Sequence, residues 1–137
     1  MWASVEYRHA LSHLLDTRAM PQRKPLPAVP AQQFFDVDMR VGRVLECTEF
    51  PQARQPAYRL LVDFGPLGTR RSSARLVDNY AAQDLVGRLV VAAVNLPPRQ
   101  IGPVRSEVLV LGVYQHGGSA VTLLRPDGDC EPGDQVG

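Results

Sequence analysis

From Asp36 onward the chain is cut into short β-like runs by turn residues, and this punctuation limits the fold more than any other feature of the sequence. DMRVGRVLECTEF, residues 38–50, reads as a strand with Gly42 in its middle, the usual mark of a bulge or bend. YRLLVDF alternates, with Tyr58, Leu60, Val62 and Phe64 on one face and Arg59 and Asp63 on the other. The GPLG turn at 65–68 leads into TRRSSAR, its partner strand. One helical piece follows, DNYAAQDLVG, with Asp78 as cap and Gly87 as stop. RLVVAAV, 88–94, is a continuous apolar strand of the kind buried on both faces. NLPPRQIGPVR connects it to EVLVLGVYQ, and the HGGS turn joins that run to AVTLLRP in a hairpin. The tail PDGDCEPGDQVG reads as acidic turns. Five strands with one helix between the third and fourth is the layout of an OB-fold, a small Greek-key barrel. A β-sandwich is the competing architecture.

The first 33 residues follow a different rule. SVEYRHALSHLLDTRA, residues 4–19, spaces Val5, Leu11, Leu14 and Leu15 on one helical face, and MPQRKPLPAVPAQQ then packs four prolines into an extended linker. The expected division is an extension over 1–33, helix plus linker, and a barrel domain over 34–137, with translation starting at Met1 or at Met20. No apolar run approaches the roughly 20 residues that span a bilayer, and the N-terminus lacks the pattern of a secretory signal. No membrane insertion and a cytoplasmic location are therefore expected. Cys47 and Cys130, far apart and without a CxxC spacing or a His cluster, make neither a disulfide framework nor a zinc site.

A net charge of +1 over the whole chain conceals a segregation. From Asp38 to Val110 ten arginines face seven acids, and from Leu111 to the end one arginine faces four. The middle of the chain is the basic part. No GxSxG, HExxH or glycine-rich phosphate loop is present, so neither catalysis nor a cofactor is expected. His9 and His13 have the i, i+4 spacing of metal ligands but no third ligand nearby, and His116 sits in a glycine turn; a solvated helix face and a loop residue are the plainer readings. TRRSSAR places Arg71, Ser73 and Arg75 on one side of its strand, a cationic and hydroxyl face suited to phosphates and base edges, although any exposed strand face needs polar residues. The FPQARQP loop sets Phe50 near Arg54, an aromatic beside a cation, as unpaired bases require; Phe50 is equally suited to the core.

Four motifs carry a resemblance: D-x-R-x-G-x-V at 38–44, E-F-P-Q-A-R-x-P at 49–56, S-S-A-R at 72–75, and V-N-L-P-P-R-Q-I-x-x-x-x-S-E-V-L-V-L-G at 94–112. Together they resemble the CsaA family, bacterial OB-fold proteins similar to the tRNA-binding domain appended to methionyl-tRNA synthetases. That resemblance implies a homodimer that binds tRNA by shape and acts as a chaperone for unfolded or export-bound polypeptides. It also implies that Asn95, Arg99, Ser106, Glu107 and Leu109 line the tRNA-binding region. Val108 and Leu109 stand where related domains often carry Gly-Met, a departure that favours the CsaA branch.

The tRNA reading has Arg54, Arg71, Arg75, Arg99 and Arg105 facing the backbone, with Asn95, Ser106 and Glu107 on base or sugar edges. The alternatives are a purely peptide-binding chaperone and an interaction module that docks through its N-terminal helix. The two prolines at 97 and 98 would stiffen the loop that carries Arg99 and Arg105.

Overall fold

A computed structural model describes residues 24–50 and 55–137. The expected helix at 4–19, the histidines in it, Met20 and Arg54 lie outside the described residues. Among these residues nine strands form: β1 Met39–Glu49, β2 Tyr58–Asp63, β3 Thr69–Ala74, β4 Leu89–Ala93, β5 Arg99–Ile101, β6 Val104–Ser106, β7 Leu109–Val110, β8 Gly112–Tyr114 and β9 Val121–Leu123. Two short α-helices, α1 Ala31–Phe35 and α2 Ala82–Leu85, and two 3-10 turns, Gly65–Leu67 and Gln115–Gly117, accompany them among the described residues. The main sheet is antiparallel throughout, in the order β3-β2-β1-β4-β7.

The segment at 106–108 brings the far edges of this sheet together. Glu107 N donates to Arg71 O at 2.8 Å, Ser73 N donates to Ser106 Oγ at 3.2 Å, and Ser72 Oγ donates to Val108 O at 3.1 Å. The five strands thus curl into the nearly closed barrel of an OB-fold. Alternation supplies its filling: Tyr58, Leu60, Val62 and Phe64 point inward with Val44, Leu85, Val90, Ala92, Val108 and Val110. Burial of these side chains, at roughly 25 cal/mol per Å² of apolar surface, is what holds the sheet curved.

Gly42 is needed for contact rather than for the bend. A Cβ there would come within 2.5 Å of Val62 and 2.7 Å of Phe64, whereas the register slips between Val44 and Glu46. β1 therefore bulges at Leu45, three residues beyond the glycine.

Besides the bulge, and besides α1, which takes up 31–33 of the stretch expected as extended linker, three sequence expectations need correction. The helix over 78–87 contracts to α2, with Ala81 rather than Asp78 at its N-cap. Asn79 is held away by its side-chain bonds to Gln115 Oε1 and Val121 O, both 2.9 Å, and the Tyr80 carbonyl accepts from Tyr58 OH at 2.8 Å. Groups that could have extended the helix are already engaged by the barrel. β4 is fully buried on one side only, since Leu89 and Val91 are half-buried.

The third correction concerns 95–106, which is a hairpin and not a loop. β5 pairs with β6 through Arg99↔Ser106, Gln100↔Arg105 and Ile101↔Val104. Its two-residue connection has Gly102 at φ 57°, the positive value tight hairpins require at the first position. The expected final hairpin is present as β8 and β9, turning through Gln115–Gly117 with His116 at φ 53°.

The acidic tail is more ordered than turns alone. Gly133 N donates to Val41 O, Val41 N to Asp134 O and Val136 N to Met39 O, so the tail lines the edge of β1 that β2 has left. Among the described residues no helix is long and apolar enough to cross a membrane.

Candidate nucleic-acid interface

Because Tyr58, Leu60 and Val62 fill the core, the period of two sends Arg59, Leu61 and Asp63 to the outer face of β2. The register then aligns outward residues across three strands: Thr48 with Arg59 and Ser73, and Glu46 with Leu61 and Arg71. The β5–β6 hairpin stands at the rim of this face. Its buried Val104 joins Phe50 and Ala57 in a small second cluster, with Ile101 packed against it. The connection between β1 and β2 and the connection between β4 and β7 are thereby held by shared apolar side chains. Both connections carry ligand contacts in OB-folds.

Between hairpin and sheet lies a cleft of about 250 Å³ lined by Arg59, Leu60, Arg71, Ser72, Pro103, Val104 and Arg105. Three of its seven lining residues are arginines and none is acidic. The Arg59 guanidinium lies over the Phe50 ring, 5.5 Å from its centroid, and its Nε is buried without a hydrogen-bond partner. A half-buried guanidinium held against a ring, with no ion pair among the described residues, favours an anionic ligand, and its planar fork suits phosphate oxygens.

The residues expected at the site divide into two groups. Arg71 and Arg105 are exposed and line the cleft; Ser73 and Arg75 are half-buried along the same edge, and Arg99 is half-buried in the hairpin. The others hold the scaffold. Ser106 is 0% exposed, its hydroxyl accepting from Ser73 N and donating to Val108 O. The Glu107 carboxylate accepts from Arg71 N at 3.0 Å. The Asn95 side chain accepts from Asp38 N at 2.7 Å and donates to Asp36 O at 2.8 Å, which ties the exit of β4 to the entry of β1. Leu109 is half-buried opposite Ala93.

Arg59 was not among the expected site residues, although the YRLLVDF alternation already placed it outside. Phe50 is core, at 2% exposed, and still serves the face by carrying Arg59. Burial pushes the Cys47 thiol up to about 11, so it stays protonated at neutral pH. Among the described residues no group of three or more His, Cys, Asp or Glu could hold a metal ion.

The family model described as "Putative tRNA binding domain" matches residues 39–135, most of the chain and the whole of the barrel. The chain belongs to the tRNA-binding-domain family. Solved relatives of this tRNA-binding domain include the chaperone CsaA of Bacillus anthracis, 39% identical with a TM-score of 0.77 over 81% of this chain and 100% of that one. The CsaA chaperone protein of Picrophilus torridus is 41% identical, TM-score 0.74, over 80% of this chain and 100% of its own. The methionine–tRNA ligase of Porphyromonas gingivalis is 34% identical over 124 residues, 90% of this chain. The chain spans only 18% of that ligase's length. The domain is therefore a CsaA-like member of a family defined by tRNA binding and not by catalysis.

Proposed function

We propose that this domain binds folded tRNA by shape and by phosphate contacts, without catalysing a reaction. The observation that carries the reading is the cleft between β2, β3 and the β5–β6 hairpin, where Arg59, Arg71 and Arg105 converge with no acid among the lining residues. Arg75 and Arg99 would extend the contact along the same edge, with Ser73 reaching sugar hydroxyls. The test is a titration with tRNA across a salt series. Three phosphate contacts predict a slope of log affinity against log salt of about −2 to −3, and R71Q and R105Q should each flatten it by about one contact. Absence of binding at low salt, or affinity indifferent to salt, would refute the reading.

A second reading is a chaperone that acts as a homodimer on unfolded or export-bound polypeptides in the cytoplasm. It is favoured by apolar side chains left exposed ahead of the barrel: Leu26, Val29, Phe34 and Phe35, the two rings packed edge to face at 5.3 Å. Two solved relatives are themselves named chaperones. Light scattering and suppression of aggregation of a denatured client would check it, and F34S/F35S should weaken both effects.

A further inference from the structure

Among the described residues, two buried side-chain nitrogens lack a hydrogen-bond partner: Arg59 Nε and Arg88 Nε. The first belongs to the cleft described above. The second lines another and larger one, about 490 Å³, together with Gly87, Leu89, Arg125, Pro126, Asp127 and Gly128.

The two clefts are built alike. In each, one arginine lies across an aromatic ring, Arg59 over Phe50 at 5.5 Å and Arg88 over Tyr80 at 5.0 Å. In each, an exposed arginine from a different segment faces it, Arg71 and Arg105 in the first and Arg125 in the second. Neither Arg88 nor Arg125 forms an ion pair among the described residues. A third guanidinium approaches the rim, where Arg43 Nη1 donates to Gly87 O at 2.8 Å. Gly87 and Gly128 have no atom within 4 Å of a would-be Cβ, so the backbone there is open to close approach.

We infer that this cleft is a second phosphate-binding site, taking the sugar-phosphate backbone of the same RNA that the first cleft holds; the inference rests on the tRNA reading. The placement supports an extended ligand. Arg59 is the register partner of Thr48 on one flank of β1, and Arg88 O accepts from Val44 N on the other. Four residues along β1, roughly 13 Å at 3.3 Å per residue, and two strand spacings of about 4.8 Å across it put the backbones of Arg59 and Arg88 roughly 16 Å apart. A ligand holding both clefts passes from the outer face at Arg59 to the barrel end, where Arg88 shares the inward parity of Val90, a span open to a polynucleotide and closed to a mononucleotide. Asp127 lines the second cleft and reduces its net charge, so each contact there contributes less than at the first.

The test uses the full chain and tRNA, with R125Q and D127N, two exposed positions whose replacement spares the barrel. R125Q should weaken binding about threefold and flatten the salt slope by somewhat less than one, and D127N should tighten binding about twofold. Wild-type affinity and slope in both variants, beside a weakened R71Q, would overturn this inference alone. Wild-type protein that fails to bind tRNA overturns the tRNA reading and this assignment together. Titration with inorganic pyrophosphate separates the sources of phosphate. Saturable shifts of the Gly87 and Gly128 amides, combined with R125Q that is neutral toward tRNA, would assign the cleft to a free phosphate compound instead.

Discussion

At the scale of single residues, hydroxyl and amide groups that look like ligand donors in the sequence are consumed by the barrel. Ser106 is the sharpest case: wholly buried, it gives Ser73 N its acceptor. Ser106→Ala leaves that N–H unsatisfied and should destabilise the protein by about 1–3 kcal/mol. Chemical denaturation measures the loss, and tRNA affinity measured well below the melting range should stay within about twofold of wild type. A large drop in affinity without a drop in stability would instead make Ser106 a direct contact. The alternation of β2 and β3 was legible in the sequence, and with it the outward placement of Arg59, Arg71 and Ser73. The fate of Ser106, Glu107 and Asn95 was not. Each is engaged by a residue more than thirty positions away, and local spacing holds no record of such a partner.

At the scale of elements, the order of the barrel strands followed from their apolar runs, but the β5–β6 hairpin did not. Its strands are three residues each, too short for a period of two to register, and prolines at 97, 98 and 103 mimic an irregular loop. The signal that was present is Gly102-Pro103 between Ile101 and Val104, a two-residue turn between two apolar residues. What fixes the hairpin is its apolar contact with the β1–β2 connection through Phe50, Ala57 and Val104. Phe50→Ala should therefore act on the element rather than on the whole fold. Truncating a buried Phe costs about 3–5 kcal/mol where the structure cannot relax, and here the loss falls on a satellite of the main core. Hydrogen exchange should accelerate at residues 99–106 while β1, β2 and β4 stay protected. Binding of tRNA should weaken as well, because Arg59 loses the ring beneath it and Arg105 its frame. Uniformly faster exchange across the barrel would show that the two clusters are one cooperative unit.

At the scale of the whole molecule, β1 is the strand on which the rest converges. β2 pairs with its second half and β4 with its first, Asn95 fastens the β4 exit ahead of it, and the tail occupies the edge of the first half, beyond the end of β2. The tail's role was hidden because its turn residues, PDGDCEPGDQVG, carry no apolar period, and its order comes from main-chain bonds, which leave no period in the side chains. Two glycines, one in the tail and one in the turn after β2, do carry a trace of it. Gly65 meets the Pro132 carbonyl too closely for a Cβ, and Gly133 at φ 96° sits against Phe64 O. Truncation after Glu131 removes three backbone hydrogen bonds to Met39 and Val41, together with the bond from Arg40 Nη1 to Gly133 O at 3.0 Å. At about 0.5–1.5 kcal/mol net for each, the loss should be a few kcal/mol, read as a lower urea midpoint. The freed edge of β1 should also promote self-association, visible by size-exclusion chromatography as the concentration rises. The cleft beside β2 shares no residue with the tail, whereas the second is lined by Pro126, Asp127 and Gly128 of it, so tRNA affinity measured at low temperature should fall by no more than the second cleft's share, about threefold. An unchanged urea midpoint would mean that the tail rests on a barrel already complete without it.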